Sequence, residues 1–227
     1  MFLAVICILM KTIFITLFQG TEAKSVLRTN IFSKLSSDPD VRIVFFVGSP
    51  ERAEYYRKEF SHPRVVYESV VGYIPRGWDK FFSRLSFKLL NTGTVRLRRK
   101  MVWEEDRSYS AYLLGGVVNR LLSRGWVRRL ARWFDYSLSG SNVFLEYFEK
   151  YRPDVVFLAH LFDDLEIGLL REARERGMKT VGFINSWDKL TARNIIRVLP
   201  DKLLVFNDLV KHEAMDHADM APENITV

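Results

Sequence analysis

Three short stretches of the chain combine polar side chains in a way that can do chemistry. In "QGTEAKS", Glu22 follows Gly20 and Thr21, which sets a carboxylate beside a glycine that lets another molecule approach the backbone closely. In "AHLFDDLE", His160 precedes Asp163 and Asp164, and an imidazole beside two carboxylates can act as a general base or position a hydroxyl. In "NSWDK", Ser186, Trp187 and Asp188 present a hydroxyl, an indole and a carboxylate together. That set suits a sugar or a polar headgroup, the aromatic face for packing and the carboxylate for hydroxyls. Each stretch also has a plainer role available: Glu22 can complement a helix dipole, Asp163 or Asp164 can cap a helix, and Trp187 can fill a core.

All three stretches follow apolar runs, and the pattern of those runs says why they belong together. "KTIFITLFQG", "VRIVFFVGS", "RVVYESV", "PDVVFLAHL", "KTVGFINSW" and "DKLLVFND" are strand-like and bounded by turn residues, and most are followed by helix-like segments. Near-continuous Val, Ile, Leu and Phe predict strands buried on both faces, and strands alternating with helices predict a parallel sheet. The expected fold is α/β, a Rossmann-like open and mostly parallel sheet with helices on both faces. Ligands of such a sheet sit beyond the carboxyl ends of its strands, where the three polar stretches fall. "PENITV" at the end reads as the start of a further strand or linker over 221–227, as in the front portion of a longer protein.

The opening "MFLAVICILMKTIFITLFQG" has Lys11 within its apolar run and no small-residue cleavage site after it, which fits neither a membrane span nor a secretory signal. The expectation is a first strand starting near Met10, with 1–9 a dispensable extension and 10–220 one Rossmann-like domain. The only cysteine, Cys7, lies in that extension, which excludes an intrachain disulfide and a cysteine zinc site. "HEAMDH" places His212 and His217 five residues apart, off a shared helical face, so it is not a zinc-binding helix. No phosphate-cradling glycine loop of the Gly-x-Gly-x-x-Gly or Walker type occurs.

The formal charge of +7 is regional. Between Arg76 and Asp135 there are 14 Lys/Arg against 5 Asp/Glu, a net of +9, and the remainder carries 20 against 22, a net of −2. A basic helical segment is therefore expected over 76–140, facing a polyanion or presenting solvated arginines. In "NRLLSRGWVRRLARWFDY", Arg120, Arg124, Arg128 and Arg132 recur every fourth residue, with Leu122, Trp126, Leu130, Trp133 and Phe134 on the other face. A basic amphipathic helix of this kind can lie in the headgroup layer of an anionic membrane.

The stretches "PDVVFLAHL", "REARERGMKTVGFINSWDKLT" and "PDKLLVFNDLVKHEAMDHADMAPENITV", in that order, resemble the N-terminal half of GT-B glycosyltransferases that build bacterial surface polysaccharides. The likeness is good over about 150–227 and loose over 10–70. Lys189 stands where the family's Ser-Trp-Asp-Asn turn has asparagine.

The resemblance implies a two-domain enzyme whose first domain holds the acceptor and whose second domain, not included in 1–227, binds the nucleotide-sugar donor. It implies Glu22 as the base that deprotonates the acceptor hydroxyl, with His160 as the rival base, and Gly20, Thr21, Asp163, Ser186, Trp187 and Asp188 against the substrate. It further implies a carbohydrate or lipid-linked acceptor, no metal and no cofactor beyond the donor, no nucleic acid, and a cytoplasmic place, peripheral to the inner face of the membrane. A sugar-nucleotide epimerase or polyol-phosphate transferase of the same architecture, and a non-catalytic flavodoxin-like module, are the alternative readings.

Overall fold

A computed structural model describes residues 10–227. The extension expected over 1–9 lies outside the described residues. The chain runs β1 (Lys11–Leu17), α1 (Gly20–Leu27), α2 (Asn30–Ser37), β2 (Val41–Val47), α3 (Pro50–Glu59) and β3 (Val65–Ser69). Five helices follow: α4 (Gly77–Ser86), α5 (Gly93–Asp106), α6 (Tyr109–Leu122), α7 (Gly125–Leu138) and α8 (Leu145–Tyr151). The alternation then resumes with β4 (Val155–Leu158), α9 (Asp164–Glu175), β5 (Lys179–Phe183), α10 (Lys189–Ala192), β6 (Lys202–Leu204), α11 (Asp208–Ala218) and β7 (Ile225–Thr226). Among the described residues the sheet has seven strands in the order β3-β2-β1-β4-β5-β6-β7, and each neighbouring pair is parallel. "PENITV" thus supplies the edge strand, paired through Ile225 and Thr226 to Leu203 and Leu204.

The strand alternation of side chains divides the core into two layers. Phe14, Val44, Phe46, Val156 and Leu158 face α8, α9 and α11, while Ile15, Leu17, Ile43, Phe45 and Val47 face α1 and α3. Helices therefore cover both faces, which is why the strands read as continuous apolar runs. Local signals start several helices: Pro50 opens α3 behind Ser49, whose hydroxyl accepts the Arg52 N–H, and Asn207 accepts the Val210 N–H at the start of α11.

The order of strands locates the crevice. From β1 the chain progresses one way along the sheet to β2 and β3, and from β4 it progresses the other way to β5, β6 and β7. The direction reverses between β1 and β4, which pair through Ile13–Ile15 and Val155–Phe157. This is the topological switch point at which open α/β sheets take their ligands.

The basic segment is helical, as expected, but its polarity is the reverse of the expected one. Arg128 and Arg132 are buried, not membrane-facing. Arg128 donates from Nε and Nη2 to the Asp219 carboxylate at 2.9 and 2.6 Å, and Arg132 reaches the same carboxylate at 2.6 Å. Arg132 Nε also donates to the Ile196 carbonyl at 2.8 Å. These partners, supplied by the body of the domain, draw that arginine stripe inward, and Val127 and Ala131 pack beside it against Leu89, Leu90 and Ile195. The aromatic face is left outside: Trp126 is 63% and Trp133 62% exposed, with Leu130 and Phe134 also exposed. Arg120 and Arg124 are exposed as expected.

A second buried network locks α4, α7 and α9 together. Arg197 donates to Asp79 at 2.6 Å, to Asp135 at 2.8 Å and to Asp164 at 2.9 Å. Arg171 donates to Asp135 at 2.9 Å. Asp79, Asp135, Arg171 and Arg197 are all buried, so the basic helices are fastened to the sheet by paired charges as well as by apolar packing.

Candidate functional site

β1 ends at Leu17 and the chain turns through Phe18 and Gln19 into α1, which places Glu22 in the first helical turn. Its Oε2 accepts the Gln19 backbone N–H at 2.9 Å, so the helix-start role is real. Its Oε1 is buried and has no hydrogen-bond partner among the described residues. A carboxylate serving only as a cap would sit in solvent; this one is fully buried at the switch point. Gly20 and Thr21 lie exposed beside it, and no atom stands within 4 Å of where a Cβ on Gly20 would be.

β4 ends at Leu158, and His160 follows from the neighbouring strand tip, itself buried. Its Nδ1 lies 3.5 Å from Asp163 Oδ2 and 3.4 Å from Glu166 Oε2. Asp163 occupies the N-cap position of α9 but makes no capping bond, and its Oδ2 instead accepts from the Gln19 side-chain amide at 2.6 Å. Asp164 pairs with Arg197 and accepts from Ser83, so neither aspartate spends its carboxylate on the helix end. Glu166 is fully buried, accepts from the Thr16 hydroxyl, and accepts the His160 backbone N–H at 3.2 Å.

The turn after β5 completes the group. Trp187 is 72% exposed, which excludes a core role, and Asp188 accepts from the Ser186 hydroxyl. Lys189, one residue further, reaches back so that its Nζ lies 2.8 Å from His160 Nε2. An ammonium can only donate, so Nε2 is the acceptor and the imidazole proton sits on Nδ1, facing Asp163 and Glu166. Arg193 Nη1 stands 3.8 Å from Asp163 Oδ1.

The electrostatics follow from burial. Desolvation, helped by the charge of Asp163 and opposed by backbone N–H groups and Lys189, raises the Glu22 carboxyl from 4.5 to about 7. Burial, with Lys189 and Arg193 nearby, lowers His160 from 6.5 to about 4, so the imidazole is neutral at pH 7. Glu166 is pushed well up by burial and by Glu22, and Lys189 is pushed down by burial and by Arg193. One donor atom from each of Glu22, His160, Asp163 and Glu166 lies within 4.8 Å of the others, near enough to surround a cation. Two cations of the chain border this group, Lys189 against His160 and Arg193 against Asp163.

A pH dependence follows with a definite sign. Between the unfolded value of about 4.5 and the folded value of about 7, the folded chain holds the Glu22 proton more tightly, so this contribution to stability is lost as pH rises through that window. Glu22→Gln removes the loss. Urea unfolding at pH 5 and pH 7 should show the variant gaining stability relative to the unmodified chain at the higher pH; a constant difference between the two would contradict the burial of an ionisable Glu22.

Glu22, His160 and Asp163 are thus brought together as the sequence suggested, with Gly20 and Thr21 beside Glu22. The Ser186–Asp188 turn joins them through Lys189. Sequence reasoning missed two members. Glu166 lies three residues after Asp163, a helical spacing that puts both carboxylates on one face. Lys189 was visible only as a departure from an expected asparagine.

The fold and the site together define a Rossmann-like α/β domain with a charged crevice at its switch point. No family model and no curated protein matches the chain. Among solved structures, one similar to it is the apo form of the lipopolysaccharide outer core galactosyltransferase WaaB, at 15% sequence identity and a TM-score of 0.43, with 96% of this chain and 45% of that one covered. The chain therefore spans a little under half the length of that transferase.

Proposed function

We propose that the chain is the acceptor-side half of a glycosyltransferase that passes a sugar from a nucleotide-sugar donor to a hydroxyl of a cell-envelope polysaccharide or glycolipid. The observation that carries this reading is Glu22: a buried carboxylate with one oxygen tied to a helix start, the other unpartnered at the switch point, and an affinity for protons matched to neutral pH. A general base works best when its pKa lies near the operating pH. His160 is the weaker candidate, because its one lone pair is taken by Lys189. Its backbone N–H helps fix Glu166, and its ring lies beside Asp163.

In the reaction the acceptor hydroxyl loses its proton to Glu22 Oε1 as the oxygen bonds to the anomeric carbon and the nucleoside diphosphate departs. Trp187, Ser186 and Asp188 offer the acceptor an apolar platform beside hydroxyl-binding groups. The donor is held mainly by a second domain. Basic side chains and helix N-termini stabilise the leaving diphosphate without a metal, so transfer should persist in EDTA. The test is release of nucleoside diphosphate from UDP- and GDP-sugars in the presence of envelope glycolipid, compared between the unmodified protein and Glu22→Gln; equal release would remove Glu22 from the reaction.

The reading places the protein at the inner face of the plasma membrane. No helix among the described residues is long and apolar enough to cross a bilayer. The outward aromatic face of α7, Trp126, Leu130, Trp133 and Phe134, lies beside exposed Arg120, Arg124 and Arg129, which fits a peripheral helix at an anionic surface. Vesicles rich in phosphatidylglycerol should sediment the protein at low salt and release it at high salt, and Trp126→Ser with Trp133→Ser should abolish binding; sedimentation that survives the double change would place the contact elsewhere.

A further inference from the structure

The basic segment is expected from the sequence to act through its surface. The structure shows that it also contains a hollow of about 470 Å³ between α5 and α6, closed at one end by Ala192 and Arg193. Its walls are mixed: Val95, Val102, Trp103 and Tyr112 are apolar or aromatic, whereas Lys88, Arg98, Arg99 and Arg193 carry four positive charges against the single carboxylate of Asp106. The volume lies within the range of ligand-binding cavities.

Arg99 is the feature that packing alone does not account for. Its guanidinium passes between α5 and α6, 5.4 Å above the Tyr112 ring, with Nη1 3.3 Å from Asn119 Oδ1. Its Nε is buried without a partner among the described residues. Among the described residues no carboxylate lies within ion-pair distance of Arg98 or Arg99. Two glycines make the space: a Cβ on Gly115 would stand 3.2 Å from Arg99 Cδ, and one on Gly116 would stand 3.4 Å from its Nη2. Asn119 is fixed in turn by the Lys88 and Leu90 carbonyls, to which it donates at 3.1 Å each. A second hollow, of about 560 Å³, shares Arg99 and Tyr112 and adds Arg96 and Arg120, so the guanidinium sits on the partition of a longer basic trough.

We infer that this hollow binds an anionic amphiphile, a phosphate ester of a hydrocarbon chain, with the phosphate held by Arg98, Arg99 and Arg193 and the chain laid along Val95, Val102, Trp103 and Tyr112. Guanidinium groups suit phosphate because their donors match its oxygens in pairs. A neutral glycan would leave the cations unpaired, and a free phosphate would leave the apolar wall wet. Arg193 belongs both to this hollow and to the crevice, where it faces Asp163. The ligand's polar end is thereby brought toward Glu22. The inference deepens the acceptor-side reading and rests on it: the acceptor is lipid-linked, its phosphate joining the hydrocarbon chain to a sugar and anchored outside the crevice in which that sugar's hydroxyl reacts.

Calorimetric titration with monomeric dodecyl phosphate, below its micelle concentration, tests this directly. Saturable one-to-one binding is expected, at least tenfold tighter than dodecyl maltoside, with no displacement by equal inorganic phosphate. Arg98→Ala combined with Arg99→Met should weaken binding at least tenfold at an unchanged melting temperature. Equal affinity for the maltoside, displacement by inorganic phosphate, or full binding by the double variant would overturn the inference. If the double variant melts early, hydrogen exchange on the unmodified protein decides: protection of α5 and α6 on adding dodecyl phosphate supports the site, and protection confined to the Trp126–Trp133 face refutes it. Glu22→Gln should bind dodecyl phosphate as the unmodified protein does, so a failure here and a failure of Glu22 as the base are separate results.

Discussion

Replacing Glu22 by glutamine lowers the turnover number for sugar transfer by about 10²–10⁴-fold, the usual worth of a positioned general base. The amide keeps the shape of the side chain and can keep the bond from the Gln19 N–H, so substrate affinity should change little. The loss falls on kcat because the proton moves only as the new bond forms. The pH profile gives a second signature: the rising limb of kcat/KM in the unmodified protein belongs to a group near 7, the value to which burial brings Glu22. His160 cannot supply that limb, since burial and its cationic neighbours hold it at about 4. Steady-state kinetics of both proteins across pH 5 to 9 check the expectation. A variant with unchanged kcat, or one that keeps the limb, would assign the base elsewhere.

The largest effect on stability is expected at Asp135, far from any proposed chemistry. Its two oxygens receive Arg171 Nη2 at 2.9 Å and Arg197 Nε at 2.8 Å, all within the interior. Asp135→Ala leaves two buried guanidiniums short of a counter-charge, and breaking a buried pair in this way costs about 3–5 kcal/mol. For a chain of this length each kcal/mol corresponds to about 2–4 °C, so the melting temperature should drop by roughly 6–20 °C. Thermal unfolding followed by circular dichroism measures it. A shift below about 2 °C, the equivalent of less than 1 kcal/mol, would mean that the network contributes little and that apolar packing alone fastens the basic helices.

The parallel sheet was legible because its strands announce themselves. "VRIVFFV" and "PDVVFLA" are apolar on both faces, and alternation with helix-like segments supplies the helices that cover each side. The convergence of Glu22 with His160 was legible for a related reason: both follow strand ends, and the carboxyl ends of parallel strands share one edge of the sheet. The strand order β3-β2-β1-β4-β5-β6-β7, which makes β1 and β4 neighbours, was not written in any local pattern. Neither was the orientation of α7. Its arginines and tryptophans occupy opposite faces in the sequence, but which face turns inward depends on Asp219, some ninety positions away and on another element. A fourfold repeat of arginine reads as a solvated face until a buried carboxylate claims two of its members. Glu166 and Lys189 were missed for the same reason, since their partners, Thr16 and His160, are distant in the chain.

Glu22 is buried at the switch point, and that burial keeps a proton on its carboxyl group to neutral pH. Carbon-13 NMR of side-chain-labelled glutamate, with the Glu22 carboxyl assigned by its disappearance in Glu22→Gln, measures that property on the chain itself. The account predicts a midpoint at about 7; a midpoint at the ordinary 4.5 would contradict it.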